Sequence, residues 1–424
     1  MFARIRQQGT ATVLRRNIGM TLGRQVLAAL AQFLLVVVIA RQLGPEGNGF
    51  YAMAILVPTL MANFLNLGVG PATVYHVSRG DYSPRQAMAG NLKLAGWVSA
   101  LGLLVAVPIL ILWSDTLFPG IPPLLLYLGL AGFPLTLLVA YLNTVLQGME
   151  DFRAYNVTIL LPPYINLIAV VVALYGLKIG VEGAMVAYIT GQLAGVVAAT
   201  ISLARKAHRT ARTGAPMGRY GRTMLSYGWK AHLSNIVTFV NYRADIFLVN
   251  LLLSPASTGV YVIAVQIAER LWMLSQAASA VLLPRLSAMR DNPEGRLALT
   301  NKGALAVTLA TALISILAAA ALYVLVEPVF GVEYREAVPA FLWLLPGIVA
   351  WAGARVQSNC IAAAGKPEWN MYSALVVVTV NLTGNALLIP DHGIVGAAWA
   401  TSLAYLIDAM IKFCLIRKTR HIVN

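Results

Sequence analysis

The sequence predicts an all-α integral membrane protein with about twelve transmembrane helices, arranged as two six-helix bundles that are related as parallel repeats. Two observations predict this fold class. Apolar residues make up 59% of the 424 residues and charged residues only 11%, whereas a soluble domain needs about 25% charged residues. In addition, a motif of the first half of the chain returns in the second half. The surface of the protein is therefore built for a lipid bilayer.

Each predicted span is an apolar stretch of sufficient length. A helix needs about 20 apolar residues to cross the hydrocarbon core, because each residue adds about 1.5 Å. Twelve stretches satisfy this condition: 20–41, 50–76, 93–113, 122–147, 154–176, 182–204, 228–252, 258–288, 303–325, 337–364, 370–389 and 393–416. The first follows several arginines, as a signal peptide does, but no A-x-A-like cleavage site closes it. We therefore expect a retained first helix.

The repeat is visible as recurring short motifs. The pattern L-x-P-x-x-x-G-x-Y-x-x-A of residues 43–54 returns at 253–264, an offset of 210. A second pair, Gly180-x-x-Gly183-Ala184 and Gly393-x-x-Gly396-Ala397, is separated by 213. Because six spans are an even number, both halves enter the membrane from the same side, which is typical of transporters built from parallel repeats. The predicted division is an N-terminal bundle (1–204), a basic cytoplasmic linker (205–227) and a C-terminal bundle (228–424).

The charge pattern sets the orientation. With the N-terminus inside, inward segments and inner span ends hold 24 Lys and Arg residues, whereas outward loops hold only Arg41, Lys178 and Arg335. This distribution satisfies the positive-inside rule and predicts cytoplasmic termini and contact with membrane lipids. The net charge of +15 therefore does not indicate nucleic acid. Two cysteines within spans and five scattered histidines predict no disulfide and no metal site, and we expect no cofactor and no catalytic residue.

Ionisable residues inside spans are functional candidates by default, since burying them in a bilayer is costly. Nearly all of them lie in the second half. The cations Arg243, Arg270, Arg355 and Lys412 are predicted to bind substrate, and the acids Asp245, Glu269 and Asp408 are predicted to be counter-ions or sites for a coupling proton or sodium.

The helical rise sets the cations at different depths. Arg270 falls about 18 Å into its span, near the midplane. Arg243 falls in the outer half, and Arg355 and Lys412 fall in the inner half. A series of cations at different depths suits an anionic headgroup that crosses the membrane, because each cation can bind the headgroup in turn.

Some of these charges are expected to interact locally. Asp408 and Lys412 are four residues apart on one helical face and are predicted to pair. Arg243 and Asp245 point to nearly opposite sides of a helix and cannot simply pair with each other. Amides within spans, such as Asn63 and Asn143, either line a wet cleft or connect neighbouring helices by hydrogen bonds.

Three further features carry a family resemblance. They are Ala40-Arg41-Gln42-Leu43-Gly44-Pro45-Glu46-Gly47-Asn48-Gly49-Phe50-Tyr51 with Asn66-Leu67-Gly68-Val69-Gly70; Arg243-x-Asp245 with Gly259-x-Tyr261-x-x-Ala264; and Leu283-Pro284-Arg285-Leu286. Together they resemble the polysaccharide-exporting branch of the multidrug/oligosaccharidyl-lipid/polysaccharide (MOP) flippase superfamily, which includes the O-antigen flippases. The resemblance transfers only Arg243 and Asp245 as motif positions.

The resemblance implies a MATE-like fold in which two bundles form a V-shaped, cationic cavity. It implies a flippase that moves an undecaprenyl-pyrophosphate-linked oligosaccharide from the cytoplasmic to the periplasmic leaflet of the bacterial inner membrane. The product would serve O-antigen, capsule or exopolysaccharide, and polysaccharide polymerase machinery is an expected partner.

Three alternatives remain. A cation-coupled drug or small-molecule exporter of the same fold would favour acidic residues in its cleft, whereas here cations match or outnumber acids. A membrane enzyme would need a large outer loop, and no predicted loop exceeds about 25 residues, too few for a folded domain of about 50 or more. A membrane scaffold would leave the embedded charges without a role.

Overall fold

The computed structural model describes residues 2–207, 217–289 and 292–421, and within these ranges it consists of helices joined by short turns, with no strand. Its α-helices, in chain order, are α1 (Phe2–Leu65), α2 (Val69–Ser78), α3 (Pro84–Leu117), α4 (Pro123–Gly148), α5 (Phe152–Val171), α6 (Val181–Ala207), α7 (Tyr220–Leu252), α8 (Pro255–Arg270), α9 (Trp272–Ala288), α10 (Pro293–Phe330), α11 (Ala337–Ala363) and α12 (Pro367–His421). A π-helical turn, Val172–Gly176, extends α5, and short 3-10 turns, Met217–Arg219 and Val332–Tyr334, precede α7 and α11.

Two of the predicted loops are kinks inside long helices. Gly44 (φ 65°) divides α1, and Gly393 (φ 57°) divides α12. Both have left-handed backbone angles, which glycine adopts without steric cost. The sequence predicted a turn at Gly44 and, just before Gly393, a break between the eleventh and twelfth spans, but at both positions the chain passes from one helical segment to the next through a single glycine.

Two of the predicted spans are in turn interrupted. The span 50–76 breaks between α1 and α2, where Gly68 is left-handed (φ 68°). The span 258–288 breaks between α8 and α9 at Leu271. The kinks divide α1 and α12 into two helical segments each. In contrast, α2 completes the span that begins with the second segment of α1, and α9 completes the span that begins with α8. Counted in this way, the described ranges hold helical segments at all twelve predicted positions.

The outer surfaces of the helices are apolar. Eight helices of the described ranges are long and apolar enough to cross a membrane, judged by length and composition. Leu104 of α3 is 70% exposed and Ile316 of α10 is 66% exposed. Side chains of this kind face lipid rather than water in a spanning helix. The prediction of an all-α, multi-pass membrane protein is confirmed.

The chain divides into two compact units. The first comprises residues 1–43, 53–115 and 121–235, and the second comprises 44–52, 116–120 and 236–424. The predicted boundaries of the bundles at 204 and 228, and the linker between them, stay a prediction. Residues 208–216 of that linker lie outside the described residues.

A buried polar network stabilises the first unit at the start of α7. The Tyr220 hydroxyl donates a hydrogen bond to Asn91 Oδ1 at 2.8 Å, and Asn91 Nδ2 donates to the Tyr141 carbonyl oxygen at 2.9 Å. Burial raises the pKa of Tyr220 to about 12. The phenol therefore stays protonated and remains a donor at neutral pH.

In the second unit, the two copies of the repeated motif pack on each other. A Cβ atom on Gly49 would lie 1.8 Å from the Pro255 carbonyl oxygen, and one on Gly259 would lie 1.9 Å from the Pro45 carbonyl oxygen. The contact is reciprocal, because each glycine meets the proline of the other copy. Asn48 Nδ2 also donates to the Gly259 carbonyl oxygen at 2.8 Å. We call residues 45–49 and 255–259 the glycine interlock.

Candidate functional site

The predicted site residues all lie in the second unit, on α7, α8, α11 and α12. The structure brings some of them into pairs and leaves others without an acidic partner. A cation that is already paired with a carboxylate is less available to an anionic ligand than a cation without such a partner.

Arg243 of α7 is paired with Glu269 of α8. Arg243 Nη1 lies 2.6 Å from Glu269 Oε1, and Nη2 lies 3.4 Å from Oε2. This is the two-pronged geometry in which a guanidinium holds a carboxylate. Glu269 is therefore a counter-ion of Arg243 in this structure, which is one of the two roles predicted for it.

Lys412 and Asp408 form the ion pair that their spacing predicts. Lys412 Nζ lies 2.6 Å from Asp408 Oδ2, with side-chain exposures of 11% and 4%. The Ser373 hydroxyl donates to the other carboxylate oxygen of Asp408. Both charges are compensated inside the unit, so the geometry favours a structural role for the pair. Its predicted roles in substrate binding and ion coupling stay predictions.

Arg355 of α11 has aromatic rather than acidic neighbours. Its guanidinium carbon lies 5.1 Å from the centre of the Trp351 ring, one helical turn away, which is a cation–π distance. Tyr242 of α7 is a side-chain hydrogen-bond partner of Arg355. No carboxylate oxygen of the described residues lies within 4 Å of it.

Arg270 ends α8 beside the break at Leu271. It also has no carboxylate within 4 Å among the described residues. Glu269 attracts its charge at longer range and Arg243 repels it. Because Glu269 is already bound to Arg243, Arg270 keeps a positive charge that an anionic ligand can neutralise.

Asp245 is buried, at 4% exposure. Its Oδ2 accepts a hydrogen bond from the Tyr261 hydroxyl at 2.8 Å, and its Oδ1 accepts one from the backbone N–H of Ile246 at 2.8 Å. As the helical geometry predicts, Asp245 and Arg243 make no ion pair with each other in the described structure.

An aromatic cluster lies beside Arg355 and was missed by sequence reasoning. Tyr242, Trp272, Trp351 and Tyr405 pack together, with ring centres 4.8 Å apart for Tyr242–Trp272 and 5.0 Å apart for Trp272–Trp351. The spacing of Trp351 and Arg355, four residues apart on one helix, predicts their contact. The sequence carries no comparable signal for Trp272 or Tyr405, which come from different helices.

The first unit offers few charges at depth. The guanidinium carbon of Arg24 lies 5.7 Å from the Tyr155 ring centre. Of the amides predicted to lie in spans, Asn143 accepts a hydrogen bond from Thr158 between α4 and α5, and Asn63 donates to the Thr59 carbonyl oxygen in its own helix. These bonds connect or stabilise helices. Within the described ranges no group of three His, Cys, Asp or Glu residues is arranged to hold a metal ion.

Comparison of structures identifies the fold. The chain is similar to a lipid II flippase MurJ in an inward closed conformation, with a TM-score of 0.76 and 13% identity over 94% of this chain and 87% of the other. It is also similar to a multidrug resistance MATE family transporter of the MOP superfamily, with a TM-score of 0.70 and 17% identity over 92% and 94%. A third similar structure is a MOP superfamily transporter from Pyrococcus furiosus, with a TM-score of 0.62 and 16% identity over 96% and 94%.

Comparison of sequences identifies the family. A relative from Haloferax volcanii, described as a probable low-salt glycan biosynthesis flippase, Agl15, is 21% identical over 199 residues. That alignment spans 46% of this chain and 42% of the relative's length. The family model described as polysaccharide biosynthesis protein matches residues 14–290. These matched proteins are transporters and flippases rather than enzymes. The chain thus belongs to the polysaccharide biosynthesis protein family and has the fold of the MOP flippase superfamily.

Proposed function

We propose that this protein is a flippase that moves an undecaprenyl-pyrophosphate-linked oligosaccharide from the cytoplasmic to the periplasmic leaflet by alternating access. We place it in the bacterial cytoplasmic membrane with both termini inside, where it would serve O-antigen, capsule or exopolysaccharide synthesis. Family membership supports a role in polysaccharide biosynthesis. The similarity to the glycan biosynthesis flippase supports a lipid-linked glycan as the cargo.

The observation that carries the proposal is that two of the four cations predicted to bind substrate have no acidic partner within the described ranges. Arg270 and Arg355 have no carboxylate within 4 Å among the described residues, whereas Arg243 and Lys412 are paired. A guanidinium in a low-dielectric environment is stabilised by an anion, and its planar N–H groups match phosphate oxygens. A pyrophosphate headgroup has the charge to neutralise both arginines.

The aromatic cluster supports the same cargo. Trp351 fixes the Arg355 guanidinium through its ring face, so that less conformational entropy is lost when an anion binds. The order that we propose is electrostatic capture of the pyrophosphate by Arg270 and Arg355, followed by reorientation of the protein around the bound headgroup. A proton or sodium ion is a candidate source of energy, and polymerase machinery is a candidate partner.

A second function deserves a test because the fold is shared with a multidrug resistance transporter. A cationic drug would require acidic groups that are free to meet it. Of the three acids predicted to lie within spans of the second unit, Glu269 and Asp408 are occupied by Arg243 and Lys412, and Asp245 has no cation within 4 Å among the described residues. The balance of available charge therefore favours an anionic cargo over a cationic one.

The experiment measures undecaprenyl-linked oligosaccharide in cells that lack this protein and in cells complemented with variants. We expect the lipid-linked intermediate to accumulate without the protein and to be cleared by the wild type. Arg270→Ala and Arg355→Ala should fail to clear it. The matched control is Arg335→Ala, which removes a 74%-exposed arginine outside the site and should clear the intermediate. Normal lipid-linked sugar together with altered drug sensitivity in the deletion strain would favour the exporter.

A further inference from the structure

In the first unit, α3 and α7 are in contact near the point where both helices begin. The Tyr220 ring of α7 lies directly on Gly90 of α3, so that a Cβ atom on Gly90 would overlap the ring. The Tyr220 hydroxyl also bonds to Asn91. At the next residue of α7, a Cβ atom on Gly221 would lie 3.4 Å from the Leu94 side chain. The first turns of the two helices are therefore closely packed.

The face of α3 that makes this contact becomes exposed further along the helix. Gly90, Leu94, Trp97 and Leu101 follow helical spacing and lie on one side of α3. Gly90 and Leu94 contact α7, but Trp97 is 71% exposed and Leu101 is 59% exposed. A helix that continued along this face would cover both side chains. An apolar gap therefore opens between α3 and α7 beyond Leu94.

Exposed apolar side chains of α7 form the other side of this gap. Leu225, Trp229 and Leu233 are exposed and are each four residues apart, so they lie on one face of α7. Leu225 follows Gly221 by one helical turn and therefore adjoins α3. We call the surface formed by Trp97, Leu101, Leu104, Leu225, Trp229 and Leu233 the α3–α7 groove.

Two cations lie at the end of the groove where the helices touch. Lys93 precedes Trp97 by one helical turn, and Arg222 precedes Trp229 by about two turns. Both cations are exposed, and no carboxylate oxygen of the described residues lies within 4 Å of either. Each side of the groove therefore presents a cation, then a tryptophan, and then leucines.

This order of side chains matches a phospholipid in one leaflet. Lys and Arg bind lipid phosphates, and tryptophan rings lie at the boundary between headgroups and acyl chains. From Lys93 to Leu104 the helix rises about 16 Å, which is roughly half of the hydrocarbon core of about 30 Å. The groove therefore has the length of a single leaflet.

The charge of the groove favours an anionic lipid. A zwitterionic lipid carries its own cation beside the phosphate, whereas an anionic lipid has a net charge that Lys93 and Arg222 can neutralise. The groove residues include no amide or carboxylate to bind sugar hydroxyls. A phospholipid therefore suits this surface better than a lipid-linked glycan does.

We propose that the α3–α7 groove binds one anionic phospholipid of the membrane. Its phosphate lies between Lys93 and Arg222, and its acyl chains fill the gap beside Trp97 and Trp229. This site does not depend on the proposed function; only its assignment to the cytoplasmic leaflet rests on the proposed orientation. The bound lipid connects α3 to α7 where the two helices separate, so it should stabilise the first unit.

Native mass spectrometry of the purified protein tests the site directly. The protein in neutral detergent is titrated separately with phosphatidylglycerol and with phosphatidylcholine of the same acyl chains, and bound lipids are counted. We expect the wild type to bind one phosphatidylglycerol at least tenfold more tightly than phosphatidylcholine. The double variant Lys93→Ala/Arg222→Ala should lose this preference. The matched control is Arg85→Ala, which removes an exposed arginine from another face of α3 and should keep it.

The apolar part of the groove has its own pair of variants. Trp97→Ala removes a side chain of the groove and should weaken phosphatidylglycerol binding several-fold. Trp113→Ala removes an exposed tryptophan at the other end of α3 and should leave binding unchanged. The substituted residues are all exposed, so we expect each variant to fold, which helical circular dichroism checks.

Three results would overturn the proposal. They are equal binding of the two lipids by the wild type, a preference for phosphatidylglycerol that persists in the double variant, and equal binding by Trp97→Ala and Trp113→Ala. Lipids extracted from protein purified out of its own membrane identify the natural occupant. We expect an anionic phospholipid that is depleted in the double variant, and a lipid-linked glycan in its place would show that the choice of occupant is wrong.

Discussion

The glycine interlock provides a sharp test of the repeat interpretation. Alanine at Gly49 places a Cβ 1.8 Å from the Pro255 carbonyl oxygen, and alanine at Gly259 places one 1.9 Å from the Pro45 carbonyl oxygen. Real Cβ contacts below 3.0 Å essentially do not occur, so the two segments must move apart by about 1 Å or more. Because the obstacle is backbone, no side-chain rotation relieves it.

The size of the effect follows from two opposing terms. Overpacking of a well-packed site costs about 1–3 kcal/mol, and a backbone obstacle places these variants at the upper end. Replacing glycine by alanine within a helix returns up to about 1 kcal/mol. We therefore expect each single variant to lose about 2 kcal/mol of unfolding free energy. The control is Gly96→Ala in α3, where a Cβ meets nothing within 4 Å, and it should be neutral or slightly stabilising.

The assay is the free energy of unfolding in mixed detergent micelles, followed by helical circular dichroism. The double variant is the decisive measurement, because both alanines separate the same two segments. Once one alanine has moved them apart, the second meets less resistance, so the double variant should lose less than the sum of the single losses. Single variants as stable as Gly96→Ala, or losses that simply add, would refute the reciprocal contact.

Two further predictions concern buried polar groups, the Asp408–Lys412 ion pair and the Tyr220 phenol. Lys412→Met leaves Asp408 buried and unpaired, which should cost about 3–5 kcal/mol of unfolding free energy, and adding Asp408→Asn should recover most of the loss; a double variant no more stable than Lys412→Met would contradict the pairing. For Tyr220, a pKa raised by burial to about 12 means that the unfolded chain releases the phenol proton first, so stability should fall as pH rises from about 10 to 12. Tyr220→Phe should flatten this part of the pH profile, measured by unfolding at a series of pH values, and an unchanged slope would show that another group causes the loss.

Much of the fold could be predicted because membrane helices need long apolar stretches that are visible in a sequence. The kinks and interruptions of the helices could not be predicted, since they depend on the backbone angles of single residues. Gly44 was read as part of a turn and Gly393 as the first residue of the twelfth span, yet both are kinks between helical segments. Gly68 lies in an apolar stretch and was taken as part of a continuous span, but its left-handed angle ends one helix and starts another.

For the candidate site, contacts between residues close in the sequence could be predicted, and contacts between residues far apart in the sequence could not. Asp408 and Lys412 are one helical turn apart, so their ion pair could be predicted from the sequence. Arg243 and Glu269 are 26 residues apart on different helices, and nothing in the sequence states that their faces meet. The same limit applies to Tyr261, which was read as a position of the repeat and of the family motif, although its hydroxyl also contacts Asp245.

The central claim is that Arg270 and Arg355 bind the anionic headgroup of a lipid-linked glycan during its transfer. The most direct test uses the lipid that accumulates in the deletion strain, reconstituted with purified protein in vesicles, and measures how fast its sugar becomes accessible to a glycan-cleaving enzyme on the opposite side. We predict rapid transfer by the wild type and by Arg335→Ala, and at least a tenfold slower transfer by Arg270→Ala and Arg355→Ala, equivalent to about 1.4 kcal/mol or more. Equal rates for all four proteins would contradict the account.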